Sequence, residues 1–104
     1  MRYPIRRRLH AQNQIELHVH RLAERNVDAA IRFIDALEDS LALLSRWPEL
    51  GPRYESAHPR LAALRKWFIP GLTNYLVFYV FEADTIHLID VIDARSDYAI
   101  DDLP

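Results

Sequence analysis

The sequence predicts an α+β domain, a helical hairpin packed on a small antiparallel sheet in the order β-α-α-β-β-β. Three observations predict it. Apolar residues recur at three- and four-residue spacing over residues 10–24 and again up to Trp47. The pattern then changes to runs of β-branched and aromatic residues between residues 60 and 93. The segments are separated only by short punctuation, "PELGPR", "PGLTN" and "ADT". Runs of helix followed by runs of strand indicate a layered α+β arrangement. With 104 residues, the chain is expected to be a single domain over 1–104 with a modest core.

Each element has its own warrant. Residues 3–9, "YPIRRRL", suit a short edge strand, with Pro4 at its start, where a missing N–H is tolerated. Ala11, Ile15, Val19, Leu22 and Ala23 share one face of a first helix. Asn26 or Asp28 then offers a cap for a second helix. Its stripe runs Val27, Ala30, Ile31, Ile34, Leu37, Leu41 and Leu44, widened by Phe33. Asp28, Arg32, Asp35, Asp39 and Arg46 lie opposite. Trp47–Pro48 ends it. Strands are expected at 60–69, 75–82 and 86–93, and the tail "ARSDYAIDDLP" has little means to form regular structure.

Composition narrows the function classes. No apolar run approaches the roughly 18 residues of a membrane span, and "MRYPIRRRLH" leads into no apolar signal segment. There is no cysteine, hence no disulfide framework or thiolate chemistry, and a cytoplasmic protein is expected. Net charge is −2, unevenly spread. Residues 1–10 hold four arginines and no acid, whereas residues 82–104 hold seven acids against Arg95 alone. A uniformly basic nucleic-acid binder does not look like this. Twelve arginines stand against one lysine, Lys66, a bias that suits fixed or stacked contacts and that host base composition also produces.

Familiar catalytic signatures are absent. Gly51 and Gly71 are the only glycines, so there is no phosphate loop. His18 and His20 point apart on a helix and His10 lies two turns away, so no metal site is expected; these read as a solvated helix face. His87, on a strand, suits a partly buried, hydrogen-bonded position. Asp35 with Asp39 and Asp101 with Asp102 need no catalytic explanation. Strand alternation puts Arg65 with Trp67 and Ile69, and sends Lys66 the other way with Leu64 and Phe68. Arg65 either stacks beneath aromatic cover in a functional role or pairs with Asp90 or Asp93. On the next strand Val77, Tyr79 and Phe81 alternate with Leu76, Phe78 and Val80. Both faces are apolar, so a partner segment, or the N-terminal strand and tail, must cover the one the helices leave.

Two stretches, "DAAIRFIDALEDSLALLSRWPELGPRY" and "LRKWFIPGLTNYLVFYVFEADTIHLIDVIDARSDY", resemble the second helix, loop and three closing strands of the RelE/ParE toxin superfamily, nearer its ParE branch. The resemblance implies the toxin half of a type II toxin–antitoxin pair in a bacterial cytoplasm, neutralised by a cognate antitoxin and needing no cofactor. ParE-type toxins poison DNA gyrase without catalysis of their own. Target contact then falls to Arg65, Lys66, Trp67 and Arg95, and antitoxin binding to Val77, Tyr79 and Phe81. No specific binding of DNA by the chain alone is implied, and no membrane. The alternative is a RelE-like, ribosome-dependent mRNA endonuclease, with Arg65 and Arg95 clamping phosphate and Tyr98 or His87 moving protons. That chemistry needs converging cations. Asp97, Asp101 and Asp102 beside Tyr98 would repel RNA. Asp93 stands where many relatives carry His. An inactive relative that only forms the antitoxin complex is the third reading.

Overall fold

Asn26 both ends one helix and begins the next, and this sets the hairpin. Its extended backbone donates N–H to the Leu22 carbonyl at 2.8 Å, closing α1 (Leu9–Arg25). Its side-chain oxygen accepts from the Asp28 and Ala29 N–H groups at 2.9 and 3.3 Å, opening α2 (Val27–Arg46). One asparagine thus satisfies the free groups of two helix ends and leaves no linker. The computed structural model describes residues 1–54 and 62–95.

The strands are β1 (Ile5–Arg7), β2 (Arg65–Ile69), β3 (Leu72–Glu82) and β4 (Thr85–Asp93), in spatial order β1-β4-β3-β2. β2, β3 and β4 form the expected antiparallel meander. β1 pairs with β4 in parallel, so the sheet is mixed and not purely antiparallel. Side-chain alternation specifies which face a strand buries and is silent on its direction. Pro4 and Leu88 carbonyls accept from Ile86 and Arg8 N–H groups to seat this edge. Of the residues expected in the first long strand, 60 and 61 lie outside the described residues, and Ala62–Ala63 form a turn. Pro70–Gly71 turns the first hairpin, with Gly71 at φ +81°, and β3 starts at Leu72, earlier than the alternation indicates. Ala83 and Asp84, at φ 51° and 57°, make the next two-residue turn.

The main core lies between the helices and one sheet face. Phe33, Leu37 and Leu44 from α2 meet Val77 and Tyr79 from β3 and Leu88 and Val91 from β4. A smaller cluster of Leu64, Leu76, Phe78 and Ile92 occupies the other face. α2 is rotated from the stripe its sequence suggests: Val27, Ile31 and Ile34 are exposed while Ser40 and Ser45 are buried. His18 is no solvated helix residue. It is buried between Phe33 and Tyr75, with Nε2 2.7 Å from the Val91 carbonyl oxygen. Register shifts between Phe78 and Tyr79, which face Asp90 and Leu88, so β4 carries an extra residue there. Asp90 is consequently drawn fully inside, its Oδ1 accepting from Val91 N–H at 2.8 Å and its Oδ2 3.1 Å from His10 Nε2. That second contact is close but lacks hydrogen-bond alignment. Among the described residues no helix is long and apolar enough to cross a membrane.

Candidate functional site

Arg65 and Tyr79 are register partners across β2 and β3. Both side chains end on the loop that follows α2. The Tyr79 hydroxyl, fully buried, donates to the Pro48 carbonyl at 2.8 Å and accepts from the Gly51 N–H at 2.9 Å. Arg65 Nη1 donates to the Gly51 and Glu49 carbonyls at 2.8 and 3.2 Å. The loop is further tied by Lys66 N–H to the Pro52 carbonyl and by Tyr54 N–H to the Leu64 carbonyl. Gly51 is required by close approach: a Cβ there would stand 2.6 Å from both the Lys66 carbonyl oxygen and the Tyr79 hydroxyl. Burial raises the Tyr79 pKa, an effect partly offset by the Gly51 N–H. Among the described residues Arg65 therefore neither stacks under aromatic cover nor pairs with Asp90 or Asp93; it grips backbone carbonyls.

The remaining expected site residues are dispersed. Lys66 lies on the opposite side of β2 from Arg65 and is half-buried. Trp67 packs against the core and its Nε1 donates to Ser40 Oγ at 3.2 Å. Val77 and Tyr79, expected to bind the antitoxin, are buried in the main core, on the face that the helical hairpin covers. Phe81, half-buried, reaches the surface against Tyr3, ring centroids 5.0 Å apart. Tyr98 lies outside the described residues.

Arg95 sits at the far end of the sheet. Its Nε and Nη2 donate to the two Asp93 oxygens at 3.2 and 3.1 Å, and its N–H adds 2.9 Å to Oδ1. Burial alone would raise the Asp93 pKa, but hydrogen bonds from Arg95 and Asn74 prevail and lower it. A hollow of about 290 Å³ opens beside the pair, lined by His18, Arg21, Arg25 and Tyr75. Burial, then the Asp93 charge, raises the Tyr75 pKa. Tyr79 pairs with Arg65, whereas Tyr75 pairs with Asp93. Four residues of strand, roughly 13 Å, and the full width of β3 therefore separate the two arginines. His87 is half-buried, 3.3 Å from Arg8 Nη2 through Nδ1, as its strand position suggests.

The clasped loop presents a corner where Trp47–Pro48 does more than end α2. Trp47 is 63% exposed and Leu50 44%. Together with Tyr3, Arg46 and Phe81 they line an open concavity of about 470 Å³. A second, of about 520 Å³, continues past Arg2. The signal was an arginine–tryptophan pair leading directly into proline, which holds a large aromatic off the end of a helix.

This architecture, two helices on a four-stranded mixed sheet, is the RelE/ParE-like toxin fold. It is similar to that of a chain in the crystal structure of the toxin–antitoxin complex RelBE2 from Mycobacterium tuberculosis. TM-score is 0.56 at 20% identity, over 89% of this chain and 99% of that one. The family model for the ParE toxin of the type II toxin–antitoxin system parDE matches residues 5–98. The chain belongs to the ParE toxin family. Among curated proteins, none matches it significantly.

Proposed function

We propose that this toxin acts by binding DNA gyrase and trapping cleaved DNA, that a cognate antitoxin holds it inactive, and that it performs no catalysis of its own. The antitoxin half of the reading follows from the family and from the complex in which the similar fold was solved. The observation that carries the non-catalytic half is the engagement and separation of the two arginines. Cleavage by an Arg65–Arg95 phosphate clamp needs both cations aimed together at one developing charge. Arg65 is committed to two loop carbonyls and Arg95 to Asp93, at opposite ends of β3. The test is a supercoiling and cleavage assay with purified gyrase. Inhibition with accumulation of cleaved DNA is expected; unchanged supercoiling at a large molar excess of toxin would refute the reading.

A further inference from the structure

We infer that the corner built from Tyr3, Arg46, Trp47, Leu50 and Phe81 is the surface with which this chain grips its target protein. The occupant is an apolar anchor side chain flanked by acidic groups; that the target is gyrase rests on the reading above.

Chemistry points to this corner in three ways. First, it concentrates the residue types that dominate protein–protein binding energy, a tryptophan, a tyrosine and an arginine around an apolar depression. A Trp left 63% exposed on a small domain is a large apolar area that folding does not use.

Second, the corner is fixed before any partner arrives. Trp47 N–H donates to the Leu43 carbonyl at 3.0 Å, closing α2. Leu50 N–H returns to the Trp47 carbonyl at 3.0 Å. Tyr79 and Arg65 hold the backbone between Pro48 and Gly51. Tyr3 is tied by its N–H to the Ser45 carbonyl at 2.8 Å and by its ring to Phe81. A surface ordered by folding loses little entropy on association, which favours affinity.

Third, its charge selects the partner. Among the described residues neither Arg2 nor Arg46 makes an ion pair, and Glu49 is the only acid on the rim. A locally positive patch on a chain of net charge −2 favours acidic groups and speeds encounter with them. Among the described residues, the exposed apolar area of Val27, Ile31 and Ile34 on α2 is wholly aliphatic, and the exposed aromatic Phe68 on β2 is less open than Trp47, at 47% against 63%. The hollow beside Arg95 offers no exposed aromatic side chain.

The experiment compares Trp47→Ala and Arg46→Glu with the control Ile31→Ser, all at exposed positions, after circular dichroism has shown each to be folded. Binding to immobilised purified gyrase is measured alongside growth arrest on induction. We expect Trp47→Ala to weaken gyrase binding at least tenfold and abolish arrest. Arg46→Glu should slow association and flatten its salt dependence, and Ile31→Ser should match the parent. If the parent binds gyrase and both corner variants bind within twofold of it, the corner assignment is overturned. If the parent arrests growth without binding gyrase, the gyrase reading fails, and arrest alone decides the corner: lost in Trp47→Ala, it stands for another target; retained, it falls. A parent that neither binds nor arrests overturns both.

Discussion

Arg65 and Tyr79 face each other across adjacent strands and hold the same loop, one by its carbonyls and the other by a carbonyl and an N–H. Tyr79→Phe keeps the packing ring but leaves the Gly51 N–H and the Pro48 carbonyl without their hydroxyl partner. Leaving buried polar groups unpaired costs about 1–3 kcal/mol. The loss should appear as a lowered denaturant midpoint with an unchanged slope. Because both side chains restrain one loop, the losses from Tyr79→Phe and Arg65→Ala should not add in the double variant. Additive losses would show that the loop is not a shared element.

Gly51→Ala should destabilise more reliably than any neighbouring loop substitution. The new methyl would meet a backbone carbonyl and the clasping hydroxyl at 2.6 Å each, and the carbonyl belongs to paired strand β2. Overpacking of this kind costs about 1–3 kcal/mol. A melting temperature equal to the parent's would contradict the close approach of loop and strand.

Stability should fall on the acid side partly through Asp93. Its folded pKa is lowered by Arg95 and Asn74, so the unfolded chain binds the proton first as pH drops. The contribution is present above the ordinary aspartate value of about 3.9 and is lost as pH falls through the lower folded value. Melting temperatures of the parent and of Asp93→Asn should therefore differ at neutral pH and converge in strong acid. A gap independent of pH would rule out this linkage.

His10→Ala should expose the cost of the Asp90 carboxylate. Asp90 has no solvent access, and His10 Nε2 lies 3.1 Å from its second oxygen. Removing the polar neighbour of a buried carboxyl group costs about 1–3 kcal/mol. Asp90→Asn placed on top of His10→Ala should recover part of the loss, measured by chemical denaturation. No recovery would mean that the cost arises from packing alone.

Much of the fold was legible because period and punctuation are local properties. Asn26, Trp47–Pro48 and Ala83–Asp84 mark their boundaries in the residues themselves. What was not legible depends on long-range geometry. The direction of β1 leaves no trace in its alternation, and the rotation of α2 that exposes Ile31 depends on where the sheet lies. The site was less readable still. Arginine beside a strand suggests aromatic or acidic partners, whereas Arg65 holds carbonyls of a loop fourteen and sixteen residues away in sequence. Both faces of β3 are apolar in sequence, and nothing local says that the helices cover the face of Val77 and Tyr79 and leave that of Leu76 and Phe78.

The most direct test of the account is induction of the toxin without its antitoxin, with DNA integrity and transcript integrity followed in the same cells. Toxin that works by binding gyrase should produce DNA breaks covalently linked to gyrase while transcripts stay intact. Transcripts cut on the ribosome, with DNA unbroken, would contradict it and return Arg95 and its neighbours to a catalytic role.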